Sequence, residues 1–196
     1  MSTCTPADQD VCRRPFVDAL FSQEASPVMQ IRVAQSGDAQ GISDLVSHLT
    51  LKYIASACPA EARDQLLATM SPDAIRHNLA NGLRYHLGEL DGRLVGVLGV
   101  HHRAHIHHLF VAESQHGKGL ATRLWAVARE TAHADGHCGD ITVNASQYAY
   151  AIYRHWGFLP DGERQHIDGL IIIPMRWRPG QSTTGDSDFL PDVPPA

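Results

Sequence analysis

Residues 116–121 read His-Gly-Lys-Gly-Leu-Ala, between the apolar run His105–Val111 and a long amphipathic run. Such a stretch can bind an anion by simple means. The first N–H groups of a helix have no partner inside it, and the helix dipole adds partial positive charge. A pyrophosphate placed there collects several donors at once. Gly117 and Gly119 carry no side chain to block its approach, and Lys118 and Arg123 add charge at the rim. A plain strand–helix turn needing glycine only for its backbone angles would look the same in isolation. Two familiar phosphate loops do not fit. Gly119 stands where a P-loop has Ser or Thr, and Thr122 occupies the third glycine of a dinucleotide fingerprint.

A second group with chemical potential lies just upstream. Five of the 13 histidines fall between His101 and His108, in the run His101-His102-Arg103-Ala104-His105-Ile106-His107-His108. Imidazole titrates near neutral pH and suits a general base. Strand alternation predicts that His105, His107 and Leu109 share one face and that His108 lies on the other. Two imidazoles at i and i+2 can share a metal, but no Cys or acidic residue sits nearby at ligand spacing. Strand histidines lining a polar cleft are the favoured reading, and no metal is expected.

These groups need elements to hold them. Residues 28–34 read as a strand, and 36–53 as a helix with Ser36 or Asp38 as cap and Ile42, Leu45, Val46 and Leu49 on one face. Within 58–82, Ser71-Pro72-Asp73 marks a helix start. Asp91-Gly92 between two apolar runs predicts a hairpin of 83–90 with 93–102. A fourth strand covers 105–113, and a helix covers 117–136 with Leu120, Leu124, Val127, Ala128 and Thr131 in register and Gly136 closing it. Strand 140–144, helix 146–156, strand and turn 157–162 and strand 169–177 complete a mixed α/β domain over 28–178. Residues 1–27 read as a loosely held extension, and the Pro-, Ser-, Gly- and Asp-rich 179–196 as a disordered tail.

Composition narrows the function. The formal charge of −5 argues against a protein built to grip nucleic acid. No run is long and apolar enough for a bilayer, and the N-terminus lacks a signal-peptide core, so export is not expected. Cys4, Cys12, Cys58 and Cys138 match no zinc or disulfide spacing, which points to a reducing cytoplasm.

Taken together, 108–124 and 142–158 resemble the GNAT superfamily of N-acyltransferases. The family's loop [RQ]-x-x-G-x-[GA] corresponds to His116-Gly117-Lys118-Gly119-Leu120-Ala121, and its helix ending in Tyr before Gly-Phe corresponds to Tyr153-Arg154-His155-Trp156-Gly157-Phe158. The resemblance covers roughly Ile31 to Trp177. It implies a GNAT fold: a central mixed, mostly antiparallel sheet of about seven strands flanked by four helices, splayed between the fourth and fifth strands. It further implies acetyl-CoA as acyl donor, with the pyrophosphate on the loop and the pantetheine arm along the backbone of Leu109, Phe110 and Val111. The reaction implied is direct attack of a primary amine on the thioester, with Tyr153 as general acid, as opposed to a core aromatic, and a backbone N–H near Leu109 as oxyanion donor.

The base is open among His105, His107 and Glu89, with water chains as a further route; His107 is the named candidate. Asn144 is carried over as a cofactor contact. His116 departs from the family's Arg or Gln, and Ser146 stands where relatives carry Asn; Ser can still cap a helix. The acceptor, a small molecule or a protein or peptide amine, would be framed by the first helices, which hold Lys52, Tyr53, Glu61, Arg63, Asp64 and Met70. The alternative is a non-catalytic module that holds or senses an acyl-CoA. A toxin acting on aminoacyl-tRNA is disfavoured by the charge. A homodimer is compatible with the fold.

Overall fold

The structure, a computed structural model, describes residues 28–55, 58–102, 104–167 and 169–180. The expected extension over 1–27 and the tail from 181 onward lie outside the described residues.

The chain runs β1 (Met29–Val33), α1 (Ala39–Tyr53), α2 (Ala60–Ala68), α3 (Pro72–Ala80), β2 (Leu83–Leu90), β3 (Arg93–His101), β4 (His105–Val111), α4 (Leu120–Ala134), β5 (Ile141–Ser146), α5 (Tyr150–His155), β6 (Leu159–Pro160), β7 (Gln165–Ile167) and β8 (Leu170–Trp177). One sheet is ordered β1-β2-β3-β4-β5-β8-β6, with β7 also on β8. Every pairing is antiparallel except β4 with β5, which is parallel. A parallel pair needs a crossover, and α4 supplies it.

Two details extend the sequence reading. Residues 58–82 hold two helices, so five α-helices are present among the described residues. Pro72 biases the residue before it away from helical angles, and Ser71 (ψ 156°) breaks the run and caps α3, its Oγ accepting from Ala74 N–H at 3.3 Å. The sheet has eight strands because the three-residue, exposed β7 joins β8. The Asp91-Gly92 hairpin forms as expected; both residues have positive φ, 50° and 75°, as a tight primed turn requires.

The core has two layers. Leu98, Ile106, Leu120, Leu124, Trp125, Tyr153 and Phe158 pack on the α4 and α5 side. Ile42, Val46, Ile75, Tyr85, Leu87 and Val97 pack on the α1 and α3 side. Where α4 begins is set by two small residues. A Cβ at Gly88 or at Gly96 would come within 2.9 Å of a Leu120 methyl. Their absence of side chain lets Leu120, the first residue of α4, settle onto β2 and β3, and so brings the helix N-terminus down onto the sheet.

Candidate active site

Strands β4 and β5 pair only at His105 with Thr142 and at Ile106 with Val143. Beyond that they part. Each stays supported on its far side: β4 pairs with β3 out to Val111, and β5 with β8 out to Ser146. A cleft of about 490 Å³ opens between them. Leu109, Phe110 and Val111 form one bank, Ser146, Ala149 and Ile152 the other, and Gly117, Gly119, Leu120 and Ala121 the end.

That end is the glycine turn at which an anion is expected from the sequence. Gly117 and Gly119 have φ of 71° and 76°, where an L side chain is strained. A Cβ at either would meet no protein atom within 4 Å, so the glycines serve the backbone turn and leave the space before it open. No side chain caps α4, whose N-cap residue is Gly119. His116 differs from expectation. Its ring Nε2 lies 2.8 Å from the Val111 carbonyl, so its donor ties the loop back to β4. Lys118 is exposed and is not among the residues lining the cleft.

The arrangement of histidines needs a correction. Gly99 pairs with His108, but Val100 pairs with Ile106, so His107 is an extra residue in β4. This β-bulge breaks the alternation. Ile106 and Leu109 pack into the α4-side core, while His108 and Phe110 face the α1 side. His107 therefore does not share a face with Leu109. It lies beside His108, with ring centroids 4.4 Å apart. Among the described residues no group of three or more His, Cys, Asp or Glu is placed to hold a metal.

The β4 imidazoles favour the neutral form, and, unlike the expected arrangement, none of His105, His107 and His108 is among the residues lining the cleft; His107 follows the last β4–β5 pair along the backbone. His107 is held below the ordinary histidine value by partial desolvation and then by the neighbouring His105 and His101. Desolvation, then His101, lowers His105 as well; its Nδ1 lies 2.8 Å from Thr142 Oγ1. His108 is buried and pushed down to about 3, chiefly by desolvation. Glu89, the carboxylate alternative for the base, is committed to Arg32, whose Nη2 lies 2.7 Å from it.

Tyr153 is buried, packed edge-on against Trp156 and Phe158 at centroid distances of 5.6 and 5.3 Å. Burial raises its pKa, so the phenol keeps its proton. It does not itself line the cleft, although Ile152 beside it does. Asn144 is exposed and is the first β5 residue past the last β4–β5 pair. Ser146 does not cap α5, whose N-cap residue is Ala149; its Oγ accepts from Ala149 N–H at 3.2 Å, closing the turn that leads into the helix. Trp156 Nε1 donates to Thr122 Oγ1 at 3.2 Å, joining the end of α5 to the start of α4.

A profile of the acetyltransferase (GNAT) domain family matches residues 54–179. The chain belongs to this family. It is therefore an acyltransferase, and its splayed sheet is the GNAT fold. Solved GNAT structures superpose over most of the chain. A GCN5-related N-acetyltransferase from Rhodopseudomonas palustris shares 21% identity over 78% of this chain and 95% of its own, with TM-score 0.62. The paia N-acetyltransferase of Thermoplasma acidophilum, solved with coenzyme A, shares 15% over 77% and 99%, with TM-score 0.61. The acetyltransferase yncA of Salmonella typhimurium, described with its cofactor acetyl-CoA, shares 18% over 82% and 99%, with TM-score 0.58. No curated protein matches the sequence significantly.

Two residues that frame this GNAT cleft were not legible as such. The sequence offers Tyr53, at the end of α1, only as one of several residues near the acceptor, and gives Tyr148 no signal. Both line the cleft and stack on each other across it, with centroids 4.8 Å apart and planes at 22°. The Tyr53 hydroxyl donates to Glu113, which also pairs with Lys52. These contacts hold the Glu113 carboxyl below its ordinary range, Lys52 being the larger cause. Tyr148 is 60% exposed, and no periodicity marks such a residue as functional. Of the other residues expected to frame the acceptor, Met70 is buried and receives the Thr50 hydroxyl at its sulfur.

Proposed function

We propose that the protein transfers an acetyl group from acetyl-CoA to a primary amine, borne by a small molecule or by a protein or peptide. One observation carries this reading: a cleft between parted strands that runs directly into the uncapped, glycine-turned start of a helix. The backbone of Leu109, Phe110 and Val111 has no strand partner on the cleft side. Unpaired backbone groups of that kind can take an extended chain such as a pantetheine arm. The N–H groups of Gly119, Leu120 and Ala121 would receive the pyrophosphate, with Lys118 adding charge beside the turn and Gly117 giving it shape. His116 would act by holding the loop to Val111, and Asn144 would flank the arm at the edge of the splay.

The amine nitrogen would attack the thioester carbon, and the oxyanion would take a hydrogen bond from a backbone N–H near Leu109. His107, neutral and next to the point where the strands part, would accept the proton lost by the amine. The carbon–sulfur bond then breaks, and the thiolate takes a proton from Tyr153, whose burial keeps the phenol protonated until that step. The proton on His107 passes to solvent, and the tyrosine is reprotonated from it. Release of free thiol, followed over a panel of small amines and peptide N-termini, tests the reading. Turnover of at least one primary amine is expected. Tight acetyl-CoA binding with no turnover of any amine would instead favour a module that holds or senses acyl-CoA.

A further inference from the structure

Tyr85, Gly99 and His108 stand side by side on three neighbouring strands, since Tyr85 pairs with Gly99 and Gly99 with His108. Tyr85 is fully buried and His108 is 6% exposed. The tyrosine ring lies across the central glycine, where a Cβ would come within 2.7 Å of Tyr85 Cε1. Lying flat there, the ring delivers its hydroxyl to His108 Nδ1 at 2.9 Å. One residue farther along, the pairing slips and His107 is left over as the bulge.

This row sits where it decides between two registers. Without the bulge, His107 would pair with Gly99 and His108 with Leu98. His108 would then turn into the apolar layer of Leu98, Leu124 and Trp125, where its ring nitrogens would have no partner. An unpaired buried polar group is costly, and a one-residue slip reverses every side chain after it. In the bulged register the same imidazole is satisfied by Tyr85, and Leu109 returns to the apolar layer.

We propose that Tyr85 and His108 are positioning residues for acyl transfer: their hydrogen bond across Gly99 holds β4 in the bulged register that sets His107 just past the last β4–β5 pair, where the two strands part. The proposal rests on the acetyl-CoA reading above for its role in catalysis, but not for its effect on the strand. Neither residue touches the cleft itself, so removal of the bond should spare donor affinity and disturb the reacting end.

The test uses the full chain, amide hydrogen exchange at residues 107–109, and the carbonyl resonance of acetyl-CoA labelled with carbon-13 at the thioester. In Tyr85→Phe, exchange at these amides is expected to quicken about tenfold, as local opening becomes easier. Acetyl-CoA affinity should stay within about threefold, while the displacement of the bound carbonyl resonance shrinks toward the free value. His108→Gln, which keeps an acceptor for the tyrosine, should resemble wild type; His108→Leu should reproduce Tyr85→Phe. If Tyr85→Phe fails to fold, the contrast between the two His108 variants decides. Equal exchange and equal carbonyl displacement in His108→Gln and His108→Leu would overturn the proposal. Absence of acetyl-CoA binding in wild type would count against the donor reading, and the exchange rates in free protein would still judge the register.

Discussion

The two halves of β4 do different work. Its first residues, His105 and Ile106, are laced to β5 and lead into a bulge flanked by imidazoles. Its last three, Leu109 to Val111, keep only β3 as a partner and end at the glycine turn before α4. The first half is polar and satisfied by side chains; the second is apolar in side chain and open in backbone. A gap between two strands survives here because each has another neighbour to pair with. The difference teaches how one strand can serve both reacting groups. Under the proposed function, its open half would take the acyl donor, and its closed half would hold titratable groups beside the point where the strands part.

The largest effect is expected at the far end of the open half. Gly119→Asp places a side chain at φ 76° and a carboxylate where an anion would bind. Acetyl-CoA affinity should fall at least about a hundredfold by calorimetry, with the fold intact by circular dichroism. At the closed half, Tyr153→Phe should lower kcat for thiol release about tenfold or more while acetyl-CoA still binds. An unchanged kcat would leave Tyr153 as a core ring packed on Trp156 and Phe158, and would move the acid role to water.

Acid should weaken the buried imidazoles on both faces of the sheet. Burial lowers His86 to about 4 and His108 to about 3, against an ordinary value near 6.5. Because these folded values are depressed, the unfolded chain binds more protons as the pH falls. Their contribution is present above about pH 6.5 and is lost progressively toward pH 4 and below, by roughly 1 kcal/mol per pH unit for each histidine. Urea unfolding at pH 7 and pH 5 measures the drop. His86→Leu should shrink it, since the change removes one of the imidazoles whose folded-state value is depressed; its Nδ1 is buried without a partner among the described residues. The smallest effect belongs to the roof of the open half. Tyr148→Ala should speed acetyl-CoA release about threefold by stopped flow, with little change in stability for so exposed a ring.

How much of this could be read from the sequence differs along the same strand. The loop and its helix were legible because helix termini and glycine turns are local. The Asp91-Gly92 hairpin was legible for the same reason. The bulge was not: alternation alone placed His107 beside Leu109, and only the row of Tyr85, Gly99 and His108, drawn from three strands, shows why the register slips. A glycine that exists to let a tyrosine from another strand lie flat carries no local signal. The stack of Tyr53 on Tyr148 joins residues 95 positions apart, and its partners could not be paired by spacing. Glu89 looked available as a base because its ion pair with Arg32 is also a long-range contact. The signals that failed were those set by tertiary neighbours rather than by backbone chemistry.

Calorimetric titration of the wild-type protein with acetyl-CoA is the most direct test that the parted strands and the glycine turn form one donor site. One site per chain with micromolar affinity is predicted, weakened when inorganic pyrophosphate competes for the α4 terminus. No binding up to millimolar acetyl-CoA would contradict the account.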